Sequence, residues 1–435
     1  MDFYDVAVIG AGTAGLKAAQ LLKDNNANYV IVEKGEGGTL CADTGCMPSK
    51  ALIEAAHAFH VRKRLDTLSV DDLRCVIADI PSVLEHVRTL RDGFVKGVRE
   101  GMKAHPVIYS QARFVDEHTL HVGDKTIRAE KILICSGSTP RIPSVFDAVK
   151  DHVLTTDTLF EQEDLPPSLA VVGVGSIGAE MGQALARLGV EIFVLEPGEA
   201  VAGISDGEVN AAAQDILKNE MRLYMNTHVT KAERFNGCFR LLTNRNTIEV
   251  SGVLVSAGRV PNVHGLGLET LSIDLGDDGV PEFDRQSMQI GDMPIYIAGD
   301  VNNERSLQHE AAAEGERAAR HALGLCKDKP ERDIPLAITF TDPPKAFVGR
   351  SGALRGAASY ENQGRATLMQ EDYGVAKLYA AKDGVLTGAE MIAPAADHMA
   401  HFLLLAVHNK MNAKDLLDMP FYHPTLEEGL RKALA

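Results

Sequence analysis

The chain reads as an α/β protein containing two parallel-sheet units, and two observations carry that reading. A buried strand, a glycine-rich turn, an amphipathic helix and a second strand closed by an acidic residue occur near the N-terminus and again near the middle of the 435-residue chain. Each unit also opens on a continuous apolar run, the pattern of a parallel strand buried on both faces. The length exceeds one compact core and predicts about two to four domains, ample to enclose a cofactor.

The first unit begins with the strand Asp5 to Ile9, followed by Gly10-Ala11-Gly12-Thr13-Ala14-Gly15 and the amphipathic stretch Leu16 to Asp24. Its second strand, Tyr29 to Val32, ends at Glu33. Gly10, Gly12 and Gly15 permit a tight turn, close approach of the backbone to a pyrophosphate, and close packing of helix on strand. Glu33 can accept hydrogen bonds from a ribose. Together these parts make a complete Rossmann-like dinucleotide unit.

In the second unit Ser168 to Val172 reads as a strand, Gly173-Val174-Gly175-Ser176-Ile177-Gly178 as the turn and Ala179 to Leu188 as the helix. Glu191 to Leu195 follows as a strand ending at Glu196. Gly173, Gly175 and Gly178 repeat the roles of the first three glycines, so two dinucleotides are expected. Glu196 would accept from a ribose diol and repel a 2′-phosphate, and Pro197 and Gly198 follow it where an arginine would serve that phosphate. NAD is therefore expected over NADP.

Just downstream of the first unit runs Gly37-Gly38-Thr39-Leu40-Cys41-Ala42-Asp43-Thr44-Gly45-Cys46-Met47-Pro48-Ser49-Lys50. Two cysteines standing alone read as small buried hydrophobes. Beside a dinucleotide unit they suggest a redox-active disulfide. A helical turn brings residues three or four apart onto one face, and an irregularity such as Gly45 and Pro48 supply can bring the fifth within bonding reach. Cys46 is expected near a helix N-terminus, where the dipole and open amides stabilise a thiolate. Cys75, Cys135, Cys238 and Cys326 are scattered without metal-like spacing and are expected to be structural thiols; no metal site is expected.

The chain runs from Met1-Asp2-Phe3-Tyr4-Asp5 directly into a strand, without the basic and apolar regions of a signal peptide. A cytoplasmic, reducing compartment is expected. No apolar run approaches the length of a membrane span. A net charge of −16 argues against a general nucleic-acid surface and leaves docking to a basic partner patch open. The run Arg62-Lys63-Arg64 reads as a solvated helix face.

Further blocks complete an ordered set: Ile134-Cys135-Ser136-Gly137-Ser138-Thr139-Pro140, Ser256-Ala257-Gly258-Arg259-Val260-Pro261-Asn262, Ile297-Ala298-Gly299-Asp300 and His423-Pro424-Thr425-Leu426-Glu427-Glu428. With the redox block and both glycine turns, the chain resembles the class I pyridine nucleotide-disulfide oxidoreductases over nearly its whole length. Within them it is most similar to the dihydrolipoamide dehydrogenases.

The resemblance implies an FAD-binding domain over 1–146 and an NAD-binding domain over 147–262. A central domain over 263–332 would complete the FAD site, and an α+β dimerisation domain would cover 333–435. Pro140 and Pro166-Pro167 punctuate the entry to the NAD domain, and Arg332-Asp333-Ile334-Pro335 the entry to the last. FAD would be held by Gly10, Gly12, Gly15, Glu33, Gly38, Thr39, Lys50, Gly137, Asp300 and His309. NAD would be held by Gly173, Gly175, Gly178, Glu196, Gly258 and Arg259. Lys50 and Glu180 match an ion pair beside the flavin N5.

His423 matches a catalytic base that takes a proton from a dithiol, a task suited to an imidazole, and Glu428 the group that orients it. In the family this base comes from the other subunit, so a homodimer is expected, with Phe340-Thr341-Asp342-Pro343-Pro344 and Gly388-Ala389-Glu390-Met391-Ile392 in the interface domain. The implied reaction passes electrons from dihydrolipoyl groups through Cys41 and Cys46 and a flavin to NAD. The lipoyl group would arrive on a carrier protein or dehydrogenase complex, since no lipoyl domain precedes the first unit.

Three departures bear on the substrate. Asp43-Thr44 replaces the usual Asn-Val between the cysteines, and Asp43 would raise nearby thiol pKa values by charge repulsion. Tyr422 precedes His423 where a small residue is usual, and Ser176 stands where the family is often larger. The lack of extra terminal cysteine pairs argues against mercuric reductase and large thioredoxin reductase types, and the lack of arginines after the second unit against glutathione reductase. An NAD(P)H-dependent reductase of another low-molecular-weight disulfide and a flavin-bearing NADH-sensing regulatory protein remain as alternatives.

Overall fold

The computed structural model describes residues 2–62, 77–326 and 334–435. Lys63 and Arg64 of the basic run, Cys75, and Arg332 and Asp333 at the expected entry to the last domain lie outside them. The chain divides into two compact units, one made of Met1–Pro48, His86–Arg141 and Arg259–Arg332, the other of Ser49–Glu85, Ile142–Gly258 and Asp333–Ala435.

In the first unit Asp2–Ile9 lies within a seven-stranded sheet. It runs parallel to Tyr29–Glu33, with Ile9 opposite Val32, and to Lys125–Ile134, with Ile9 opposite Ile134. Val107–Tyr109 extends the sheet beyond Tyr29–Glu33, and Ile295–Ile297 pairs parallel with the end of Lys125–Ile134. The start of Lys125–Ile134 instead pairs antiparallel with Thr119–Val122. The first strand begins at Asp2 rather than Asp5 because Asp2, Phe3 and Tyr4 pair with Ile127, Arg128 and Ala129. Asp2 and Phe3 are exposed and the buried run starts only at Val6, so the extension lies outside the buried apolar pattern. Val6 and Val8 pack into one core layer and Ala7 and Ile9 into another, which is why the run is apolar throughout. Each such valine or isoleucine contributes about 2 kcal/mol by its burial.

The helix after the first turn spans Thr13–Asp24, and its counterpart in the second unit spans Ser176–Arg187. Both start three residues before the expected Leu16 and Ala179, because Gly12 and Gly175 serve as N-caps and the end of each glycine turn winds the first helical turn. A Cβ on Gly315 of the helix Gln308–Ala322 would strike the backbone of Ala14, so this glycine lets the two helices pack at short range.

The second unit contains a parallel sheet in the order Arg222–Tyr224, Glu191–Leu195, Ser168–Val172, Gly252–Val255. A three-stranded antiparallel sheet of Val229–Phe235, Cys238–Thr243 and Thr247–Val250 accompanies it. Residues 336–392 add a five-stranded antiparallel sheet packed by the helix Ala396–His408 around Ala346, Val348, Leu378, Met391 and Leu403. The architecture is α/β, with two Rossmann-like sheets and a C-terminal α+β domain. No helix among the described residues is long and apolar enough to cross a membrane.

Candidate active site

The first glycine turn opens onto a cleft of about 260 Å³ in the first unit. Gly10 takes a φ of +102° and sits so close to the Cys135 carbonyl that a Cβ would collide with it. A Cβ on Gly12 would meet no protein atom within 4 Å, so the space before it is open. Gly12 also offers no side-chain acceptor to the first helical turn. Open amides, a dipole and free space at one helix N-terminus suit a pyrophosphate. Glu33 fixes the loop: one carboxylate oxygen accepts the Ala11 N–H at 2.7 Å and the other the Gly35 N–H at 2.7 Å. Each oxygen keeps a lone pair for a ribose hydroxyl. The residues present therefore fit the adenosine half of a dinucleotide.

Cys41 and Cys46 line the same cleft, together with Gly38, Gly137 and Asp300. Thr39 caps the short helix Leu40–Asp43, its hydroxyl accepting the Ala42 N–H at 3.1 Å. A second helix, Cys46–Val61, starts at the second cysteine, with Pro48 in its first turn, where the missing N–H carries no penalty. Gly45 joins the two. A Cβ there would lie 2.8 Å from the Leu40 carbonyl oxygen and 3.3 Å from the Cys41 Cα, so glycine is what lets the chain fold back beside Cys41. Cys135 also borders the cleft, but burial pushes its thiol up to about 12, with Glu314 adding to the rise.

Asp300 is locked from two sides. Its Oδ2 accepts the Ser138 hydroxyl at 2.9 Å, and Ser138 in turn accepts the Arg259 Nε at 2.7 Å through its hydroxyl and Nη2 at 2.8 Å through its carbonyl. The buried Glu314 accepts the Gly299 N–H at 2.9 Å and the Asn302 amide at 2.7 Å beside it. Arg259 thus serves the Ser138–Asp300 chain. His309 lies exposed in the first turn of Gln308–Ala322, while its neighbour Gln308 borders the cleft.

The second glycine turn borders a cleft of about 410 Å³ in the second unit, lined by Gly173, Gly175, Glu196 and Gly258. Its logic repeats the first. Gly173 has a φ of +93° and nothing stands within 4 Å of a Cβ on Gly175. Glu196 accepts the Val174 N–H at 2.9 Å and the Gly198 N–H at 2.8 Å. Gly178 lies beneath, where a Cβ would strike the Gly173 carbonyl and come within 2.6 Å of the Ser256 hydroxyl. Ser176 accepts the Thr339 hydroxyl at 2.9 Å.

Two expected side-chain pairs form in the second unit. Lys50 Nζ lies 2.7 Å from Glu180 Oε2 and 4.7 Å from the Phe340 ring centroid, while Glu180 Oε1 accepts the Phe340 N–H at 2.8 Å. His423 Nδ1 lies 3.0 Å from Glu428 Oε2, leaving Nε2 pointed away from the carboxylate; the imidazole is 79% exposed and Glu428 20%. Tyr422 is also 83% exposed. The same unit holds a charge network that sequence reasoning missed. Asp342 accepts His57 at 3.1 Å and Arg187 at 2.7 Å, and Arg187 also bonds Glu220 at 2.7 Å. The Asp342 hydrogen bond raises the His57 pKa, burial notwithstanding. Burial opposes ionisation of Asp342, yet His57 and Arg187 outweigh it and hold the carboxyl well below its usual range.

Ser136, Asn262, Ser306 and Gln308 in the first cleft, and Phe146, Thr227 and His228 in the second, were likewise unmarked by sequence. Ser136 and Asn262 lay inside quoted motifs, which was the available signal; the others come from segments with no motif.

Comparison with known proteins identifies the family. Residues 4–315 match the family described as pyridine nucleotide-disulphide oxidoreductase, and residues 336–434 match its dimerisation domain. A dihydrolipoyl dehydrogenase of Staphylococcus aureus is 33% identical over 451 residues, covering 99% of this chain and 95% of its own. A mercuric reductase of Acidithiobacillus ferrooxidans is 29% identical over 451 residues, covering 98% of this chain and 81% of its own. Among solved structures, the Cu(II) complex of the HOCl-induced flavoprotein disulfide reductase RclA from Escherichia coli superposes with a TM-score of 0.88 at 21% identity. That match covers 100% of this chain and 99% of the other. LpdA from Mycobacterium tuberculosis gives 0.87 at 24% identity, with 100% and 99% coverage. The last two likenesses concern the fold.

Proposed function

The chain belongs to the pyridine nucleotide-disulphide oxidoreductase family, whose members use FAD and NAD(P)H, and from that premise we propose that it oxidises dihydrolipoyl groups with NAD through Cys41 and Cys46. The observation that carries the reading is that both cysteines border the cleft of the first glycine turn. In a homodimer formed through the dimerisation domain, His423 takes a proton from the incoming dithiol while Glu428 orients the imidazole. The substrate thiolate attacks Cys41 of the Cys41–Cys46 disulfide, giving a mixed disulfide and releasing Cys46 as thiolate. The second substrate thiol displaces Cys41, so the substrate leaves as a disulfide and both cysteines are reduced. When bound, FAD supplies the relay between two-electron thiol chemistry and hydride transfer to NAD. Lys50, steadied by Glu180, contributes a positive charge that favours an electron-rich cofactor. Glu196 selects a free ribose diol.

A second reading, NADH-driven reduction of a different small disulfide, draws on Tyr422, a bulky exposed phenol next in sequence to the base, where the family usually carries a small residue. Steady-state turnover of the FAD-loaded protein separates them. Dihydrolipoamide with NAD is run beside NADH with lipoamide, glutathione disulfide and other small disulfides. Fast NAD-linked oxidation of dihydrolipoamide, lost in His423→Ala, supports the first reading. Negligible lipoyl turnover at full flavin occupancy overturns it.

A further inference from the structure

Asp43 stands between the two cysteines, two residues after Cys41 and three before Cys46. It closes the short helix Leu40–Asp43. Arg91 reaches it from the helix Ile80–Met102, with Nη1 3.6 Å from Asp43 Oδ1. The Arg91 side chain is only 9% exposed, whereas that of Asp43 is 48% exposed. Its Nε also lies 2.6 Å from Oδ1 of the exposed Asp92. A guanidinium so far withdrawn from water is kept there by its carboxylate partners. The Asp43 charge next to the cysteines is therefore opposed by a cation that the fold and Asp92 hold in place.

We propose that Asp43 and Arg91 form a compensated charge pair that tunes the disulfide–dithiol balance of Cys41 and Cys46. The proposal rests on the reading of those cysteines as the redox pair. Reduction adds two electrons and one proton to the disulfide to give one thiol and one thiolate, so it adds one negative charge to the site. Asp43 alone opposes that charge. Arg91 offsets Asp43, which stands two residues from one cysteine and three from the other, with Arg91 3.6 Å from it. Arg91 is a positioning and tuning residue; it touches no reacting atom.

The test equilibrates the holoenzyme and its variants with glutathione and glutathione disulfide at fixed pH and counts alkylated cysteines by mass. Two glutathione thiols convert the protein disulfide to its reduced form and leave as one glutathione disulfide, so the equilibrium constant is read directly. Asp43→Asn moves it toward the reduced form by about threefold to tenfold, and Arg91→Met moves it toward the disulfide by a similar factor. The double variant returns to within about twofold of the parent, and Arg91→Lys, which keeps the charge, stays near it. Single variants that shift the same way, or do not shift, overturn the proposal. A parent protein in which Cys41 and Cys46 do not titrate as a two-thiol couple overturns the underlying reading instead, before any variant is compared.

Discussion

Glu33 and Glu196 hold their glycine turns in the same way, each with one oxygen on the amide after the first glycine and one on the amide two residues downstream. Both helices start at an uncapped glycine with open space before it. The two regions part only after the second strand. In the first, Gly37 and Gly38 take φ values of +80° and +129° and turn the chain into the short helix that carries Cys41. In the second, Pro197 and Gly198 lead away, and the cleft is walled by Pro143, Val145 and Phe146. One backbone plan thus makes a place to bind in both units, and the segment that follows adds redox chemistry to one of them.

The largest expected effect removes that added chemistry. Cys46→Ser should lower disulfide-linked turnover by about a thousandfold or more while the purified protein keeps its flavin, because Cys41 can no longer form the disulfide that the substrate thiolate attacks and the glycine cradle is untouched. Loss of flavin in this variant would mean that the cysteine segment builds the cradle as well, and the comparison of the two turns would lose its main distinction.

Next come the buried glycines. Gly15→Ala puts a Cβ against the Gly10 carbonyl, and Gly178→Ala puts one against the Gly173 carbonyl. Forcing these contacts costs about 1–3 kcal/mol each, enough to weaken a bound group by about tenfold or more. The first variant should lose flavin on gel filtration. The second should keep flavin and raise the KM for the pyridine nucleotide. Flavin loss from Gly178→Ala would show that the two cradles are not separable.

Glu196→Ala is expected to act more mildly. It leaves the Val174 and Gly198 amides without their acceptor, at about 1 kcal/mol each, and removes the group that repels a 2′-phosphate. The KM for NAD should rise several-fold and the preference over NADP should narrow. An unchanged ratio would confine Glu196 to bracing the turn.

The first two strands of each parallel sheet, both turns and the block around the cysteines were legible because each is local: an apolar run, a glycine where a Cβ cannot fit, an acid at a strand end. The reach of Gly45 toward Leu40 was visible only as an irregularity, and its reason, a carbonyl 2.8 Å from the missing Cβ, is a contact within one folded loop. Arg91 and Asp43 lie 48 positions apart by their numbers, and His57 and Asp342 are separated by 285. Pairs of that separation leave no period or motif in a single sequence.

Those distant pairs give the smallest and last expectation. In the first unit the buried Glu314 accepts from two neutral donors, the Gly299 N–H and the Asn302 amide. In the second, Asp342 is held by Arg187 and by His57, whose pKa is raised, chiefly by that hydrogen bond. A histidine whose folded pKa exceeds its unfolded value contributes stability that is complete below the unfolded pKa, about 6.5, and lost as pH rises through the folded value. Because His57 is substantially solvated, screening limits this to about 0.5 kcal/mol, or roughly a degree or two in Tm. The parent should therefore lose a little thermal stability on going from about pH 6 to pH 8 relative to His57→Gln, which cannot take up the proton. Parallel slopes for the two proteins would place the pH response elsewhere, and the buried carboxylates of the two units would then be held on equal terms.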